Sequence, residues 1–250
     1  MSTRRPVSMW APRRQGGAAF VEFIFAFSLT ILLIMGVLQV GMFMIAKDTV
    51  NLATFAAARA GAASGGDVGQ MKQAFAKALS GLYVAKGLRL AGSNGLTDVS
   101  AGNFEQVITG ATAYGYAAAS MPLNDIKVLN PTRKAFDDFG VLSPDPKIKG
   151  RIIPATGLLT DTAVGSHSEQ TRADALLLKI RVRHCYEIVF PMIGEAIYKV
   201  LTENPDPKII PDLPCYAKHP WPDGHSGHGV MIESQAVVRM TSAAIESNFK

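Results

Sequence analysis

The chain has 250 residues, 48% hydrophobic and 18% charged, with 25 basic and 20 acidic side chains and a formal net charge of +5. This balance excludes a disordered chain and a many-span membrane protein. It does not indicate a nucleic-acid binder either. Arg4, Arg5, Arg13 and Arg14 all fall in the first 17 residues with no acidic residue among them, which leaves 21 basic against 20 acidic groups. No later Lys/Arg cluster is present to release counterions from a phosphate backbone.

From Ala18 to Ala46 the single charged residue is Glu22, and there is no Pro. A spanning helix needs roughly 20 apolar residues. This run exceeds that, and exceeds the roughly 7–15-residue core of a cleaved secretory signal. The small residues Gly61, Ala62 and Ala63 lie well past the apolar core, so a secretory cleavage site is hard to place. The sequence predicts a retained single-pass anchor. The four arginines before it place the N-terminus in the cytoplasm by the positive-inside rule. Residues from about Lys47 onward then face the periplasm or the cell exterior of a bacterium.

A carboxylate inside hydrocarbon costs on the order of 2.5–3.5 kcal/mol on insertion scales. Two readings of Glu22 follow: it sits at the headgroup boundary, or it has a partner. Its context is Arg13-Arg14-Gln15-Gly16-Gly17, then Ala18-Ala19-Phe20-Val21-Glu22-Phe23. A basic leader ends in Gly, and an apolar helix follows with Glu at its fifth position.

This pattern resembles a prepilin-type leader, which a prepilin peptidase cuts on the cytoplasmic side. The resemblance implies cleavage between Gly17 and Ala18. It also implies a pairing role for Glu22, beside Phe23, with the N-terminal amine of a neighbouring subunit. An ammonium and a carboxylate attract strongly at low dielectric, which offsets much of their desolvation. Within the pilin-like proteins the chain is similar to the TadE-like minor pseudopilins of Tad (Flp) pilus assembly. The resemblance rests on Glu22-Phe23, on Gly36 and Gly41 in the second half of the span, and on the Ala57-Ala58-Arg59 string after it. It covers roughly residues 13–63, with a weaker echo at Gln235–Met240. One departure is Ser28, where the family often carries Pro. Gly36, Gly41, Ala57, Ala58 and Arg59 are then expected as helix-packing positions, since small residues let backbones approach; plain helix propensity explains the alanines equally well.

The organisation expected is a basic leader (1–17), a transmembrane helix (18–46), a helical stalk and second helix (47–90), and an exported domain (91–250). A helix unbroken from Ala18 to Ala63 would be roughly 70 Å long. The fold class is α+β and pilin-like: a long N-terminal transmembrane helix, then a small, mostly antiparallel sheet with flanking helices. Met71, Phe75, Ala78, Leu79, Leu82 and Val84 mark the second helix, from about Val68 to Leu90. Residues 91–170 read as loops with short strands, one near Asp125–Leu129. The clearest strand is Ala175–Ile188: Leu176, Leu178, Ile180, Val182, Tyr186 and Ile188 alternate with Lys179, Arg181 and Arg183. A solvated Lys/Arg face, balanced in part by Glu233 on a neighbouring strand, is expected. Pro191 opens a short helix carrying Ile193, Ile197, Val200 and Leu201. A Pro-rich loop from Asn204 to Gly229 and a last strand, about Val230 to Met240, complete the chain.

Cys185 and Cys215 are the two cysteines. An even count in an exported domain favours a disulfide. The rival is a metal site built from Cys215, His219, His225 and His228, with His184 beside Cys185, although the spacing matches no zinc motif. No phosphate-binding glycine loop, nucleophile elbow or His-Glu-x-x-His motif is present. Ser166-His167-Ser168-Glu169 sets a hydroxyl beside an imidazole, which does not by itself make a triad. The expectation is a non-enzymatic protein without cofactor or bound metal. Its expected partners are the membrane, other pilins or pseudopilins, the inner-membrane assembly platform and prepilin peptidase. The alternatives are a signal-anchored envelope-binding module, such as an adhesin or sensor, and a metal-binding periplasmic protein.

Overall fold

The computed structural model describes residues 16–86, 102–148, 150–157, 162–203 and 212–249. The four leader arginines, and the end of the expected second helix past Lys86, lie outside these residues. Two compact units result, Met1–Gly41 and Met42–Lys250.

Helix α1 runs from Gly16 to Ala63 over 48 residues. Its Ala, Leu, Met and Phe residues favour or tolerate a helix, and no Pro interrupts the ladder. A tight turn ends it: Gly65 and Gly66 have φ of +71° and +90°, and the Gly66 amide donates to the Gly61 carbonyl at 2.8 Å. Only glycine adopts this left-handed backbone without a steric cost. Asp67 then caps α2, Val68–Leu79, by accepting from the Gly69 amide at 2.8 Å. The expected continuous helix is interrupted after Leu79 and resumes over residues 84–86, the last described residues of this stretch. Beyond Leu79 the chain makes successive three-residue turns, Leu82 N–H to Leu79 O and Tyr83 N–H to Ser80 O, which swing Tyr83 into the core.

The expectation of loops across 91–170 is also corrected. Within that stretch lie helix α3, Phe104–Ala119, and helix α4, Arg133–Phe139. Val107, Ala111, Tyr114 and Ala118 form the buried stripe of α3 at helical spacing. The Gly and Thr residues that suggested loops lie between them. Thr132 caps α4 with its hydroxyl. Strand β1, Asp125–Asn130, sits where the sequence suggested one. Short strands β2, Val141–Leu142, and β3, Arg151–Ile153, follow.

After a one-turn helix α5, Arg172–Ala175, strand β4 runs from Leu177 to Glu187. The expected strand start at Ala175 is thus taken by this helix, which Thr171 caps. Helix α6 is Pro191–Glu203. The Pro-rich segment contains more than loop: helix α7, Leu213–Tyr216, and a small hairpin, β5 His219–Pro220 with β6 Ser226–Gly227. Strand β7 is Gly229–Arg239 and β8 is Ala244–Ile245.

The main sheet has order β1-β4-β7, all antiparallel, and a second sheet has order β2-β3-β8. Register pairs Leu178 with Val238, Ile180 with Ala236, Val182 with Ser234 and His184 with Ile232. The first residue of each of these pairs is buried. In the second unit Ala46, Val50, Ala53, Ala57, Ala58 and Ala62 line one face of α1 and share a core with Phe75, Leu79, Leu178 and Ile180. Each fully buried Leu, Ile or Phe here contributes about 1.5–3 kcal/mol. Small residues on α1 allow close approach: a Cβ on Gly61 would fall 2.9 Å from Met71 Cγ and 3.0 Å from Leu178 Cδ2.

Candidate functional site

In the first unit the helix presents apolar side chains outward. Phe25, Leu29, Leu33 and Val37 are exposed, as are Phe23 and Glu22. Phe23 and Phe27, one turn apart, stack with ring centroids 5.6 Å apart. The Ser28 hydroxyl donates to the Ile24 carbonyl at 2.8 Å, and Thr30 to the Ala26 carbonyl at 2.7 Å. Such back-bonding satisfies a hydroxyl inside an apolar helix without outside help. Glu22 has no such local partner; among the described residues no basic group pairs with it. Gly17 and Ala18 fall in the first turn of α1. A Cβ at Gly36 or Gly41 would meet no atom within 4 Å. From Phe20 the helix is long and apolar enough to cross a membrane, by length and composition.

Ala57 and Ala58 are fully buried within the second unit, while Arg59 is exposed, its guanidinium 6.0 Å from the Phe55 ring centroid. The two groups of expected packing positions therefore differ. Gly36 and Gly41 have open space beside them, and Ala57 and Ala58 are already covered by their own chain.

Cys185 and Cys215 form a disulfide with Cα atoms 5.8 Å apart. It ties β4 to α7 and packs with Trp221, Met121, Leu123 and Met231. Gly229 is required beside it, because a Cβ there would lie 2.6 Å from Cys185 Sγ. The bond removes both thiolates from any metal set. The histidines are dispersed: His219 stacks on Trp221, His225 bridges Asp223 and Glu187, and His228 contacts the Tyr216 carbonyl and Glu195. Among the described residues no three His, Cys, Asp or Glu side chains gather as a metal-holding group.

His184 lies in the main core. Its Nε2 shares a hydrogen bond of 2.8 Å with the Tyr83 hydroxyl, and Phe75 meets the ring edge-on. Burial pushes its pKa down to about 4 and pushes that of Tyr83 up. The imidazole is thus neutral at pH 7. Nδ1 has no hydrogen-bond partner among the described residues.

Asp138 organises the Ser166–Glu169 turn. It accepts from the Ser168 hydroxyl and amide, both at 2.7 Å, and from His167 Nδ1 at 2.8 Å. These bonds, the Ser168 hydroxyl first, hold its carboxyl well below the usual range. Ser166 Oγ lies 3.1 Å from the same His167 Nδ1 that faces Asp138. A Ser-His-Asp relay needs the two partners on opposite ring nitrogens, so the arrangement is a carboxylate-stapled turn. Sequence reasoning also missed the network of Lys86 with Glu187 and Asp223, at 3.1 and 2.8 Å. No local motif signals it, since Lys86 lies 101 residues before Glu187 and 137 before Asp223 in the chain.

No curated protein and no solved structure matches the chain. A family model does match, and its description is TadE-like protein. The match begins at the Gly17–Ala18 pair, runs through Glu22 and the exposed apolar turns, and ends at Arg59 in the buried stretch. The similarity to TadE-like proteins is thus confined to residues 17–59.

Proposed function

We propose that the chain is a minor pseudopilin-like component of a Tad (Flp) pilus assembly system, anchored by one membrane-spanning helix. A TadE-like segment implies involvement in Tad pilus assembly, and the observation that carries the reading is the family match over residues 17–59. The leader is cut after Gly17 by a prepilin peptidase, the new amine of Ala18 is free to pair with Glu22 of a neighbouring subunit, and the domain after Lys47 lies outside the cytoplasm. The function is structural: priming, joining or anchoring the filament through helix packing, with other pilins and the assembly platform as partners. Glu22 supports this role, since an exposed carboxylate in an otherwise apolar helix, unpaired among the described residues, is costly in lipid. The disulfide fits an oxidising compartment.

The test is the N-terminal sequence and intact mass of the mature protein from cells with and without prepilin peptidase. A start at Ala18 that reverts to Met1 in the peptidase-deficient cells is expected. A start at Met1 in both would overturn the reading in favour of a signal-anchored envelope-binding module.

A further inference from the structure

The hydrocarbon core of a bilayer takes up roughly 20 helical residues. The apolar run from Ala18 to Ala46 is longer than that, and the first charges after Glu22, Lys47 and Asp48, mark its outer limit, which puts Met42–Ala46 near the headgroup boundary. Within the second unit, that part of α1 does not stand alone. Met42 and Ile45 share a groove of about 340 Å³ with Leu82, Ala85, Lys86, Glu187 and Val189. Side chains lining this groove lie beside Met42 and Ile45.

The groove and its surroundings are unusually apolar for a soluble surface. Ile45 is 63% exposed, Met44 53%, Val189 52% and Met192 74%. Val189 and Met192 come from the loop and first turn that join β4 to α6. On α6 itself Met192, Ala196 and Val200, at spacings of four, are all exposed. The two charged walls of the groove, Lys86 and Glu187, pair with each other at 3.1 Å, so neither is left uncompensated in a medium of lower dielectric. Exposed apolar side chains continuous with the end of an apolar span are suited to the interfacial layer, where amphipathic elements bury their apolar face about 5–10 Å into the headgroup–acyl boundary.

We infer that the β4–α6 junction, centred on Val189 and Met192, is a second membrane contact that seats the folded domain on the phospholipid surface beside Met42–Ala46, where the apolar run of α1 ends. This rests on the reading that α1 spans the bilayer. The contact limits the domain's tilt on the phospholipid surface.

The full chain, reconstituted in phosphatidylethanolamine–phosphatidylglycerol vesicles brominated on the acyl carbons nearest the headgroup, provides the test. Val189→Trp and Met192→Trp are read as added emission over the parent chain, with Val164→Trp as an exposed control elsewhere and Val37→Trp reporting the span. Loss of roughly half the added emission at positions 189 and 192, with none at 164, is the expected result for side chains at that shallow depth. Quenching at 37 without quenching at 189 and 192 overturns the inference while leaving the span intact. Emission at 189 and 192 that ignores bromine but shifts with the protein-to-lipid ratio assigns the patch to a second copy of the chain, and also overturns it. An unquenched Val37→Trp removes the span and this contact together.

Discussion

Two stretches of one helix meet opposite fates. Between Phe20 and Gly41, α1 exposes its large side chains, with Phe25 at 73% and Leu29 at 68%. Between Ala46 and Ala62 its small residues are buried against α2 and the sheet. Helix propensity is similar in both, so it cannot be what separates them. The difference is what each face is built to touch. Bulky side chains that the described residues leave exposed call for a covering from outside, lipid or neighbouring helices. Alanines at positions 46, 53, 57 and 58 bring a backbone close to a sheet that supplies the bulk instead.

The comparison is broken most severely by removing that bulk. Leu178→Ala, opposite Gly61, is expected to cost about 3 kcal/mol through lost transfer energy and a residual cavity. Chemical unfolding of the full chain in detergent measures it; a cost below the noise would mean that α1 does not pack on β4. Ala58→Leu attacks the same contact from the helix side and should cost about 1–3 kcal/mol by overpacking. Urea midpoints compared with those of the matched change Gly36→Leu check this, because Gly36 has open space beside it.

A third test addresses the buried His184 of the core. The His184 pKa is lowered by burial to about 4, against about 6.5 in the unfolded chain. Above pH 6.5 both states hold the neutral ring and the stability is complete. As pH falls from 6.5 toward 4 the unfolded state binds the proton first, so stability drops, by about 2 kcal/mol at pH 5, and levels off below 4. Unfolding free energies measured at pH 7 and pH 5 should show the loss, and His184→Phe should flatten the profile between them. The smallest effect belongs to the exposed half. Leu33→Ala should leave unfolding of the domain unchanged to within about 0.5 kcal/mol; a larger shift would show that the apolar turns before Gly41 contribute to the folded domain.

The sequence by itself determined the long apolar helix, the long strand and the final strand, because each rests on a local pattern. An unbroken apolar run, and Leu178, Ile180 and Val182 alternating with Lys179, Arg181 and Arg183, can be read without knowing any neighbour. Strand β1 and the Pro191 helix were legible for the same reason, and Arg183 does lie opposite Glu233 in register. Within the site, the Gly17–Ala18 junction, Glu22 and the Ala57-Ala58-Arg59 string could be picked out as a linear pattern. The helix at Phe104–Ala119 was hidden because Gly110, Thr112 and Gly115 dilute its stripe, and it gains its stability from packing on α2: a Cβ on Gly115 would lie 3.0 Å from the Ala76 carbonyl oxygen. Only the tertiary structure decided which pairs meet across the chain. Cys185 reaches Cys215 rather than a histidine cluster, Tyr83 reaches His184, and Lys86 reaches Glu187 and Asp223. The physical reason is that periodicity records which face of an element is buried, whereas the partner it is buried against depends on contacts between residues far apart in sequence, which no local pattern carries.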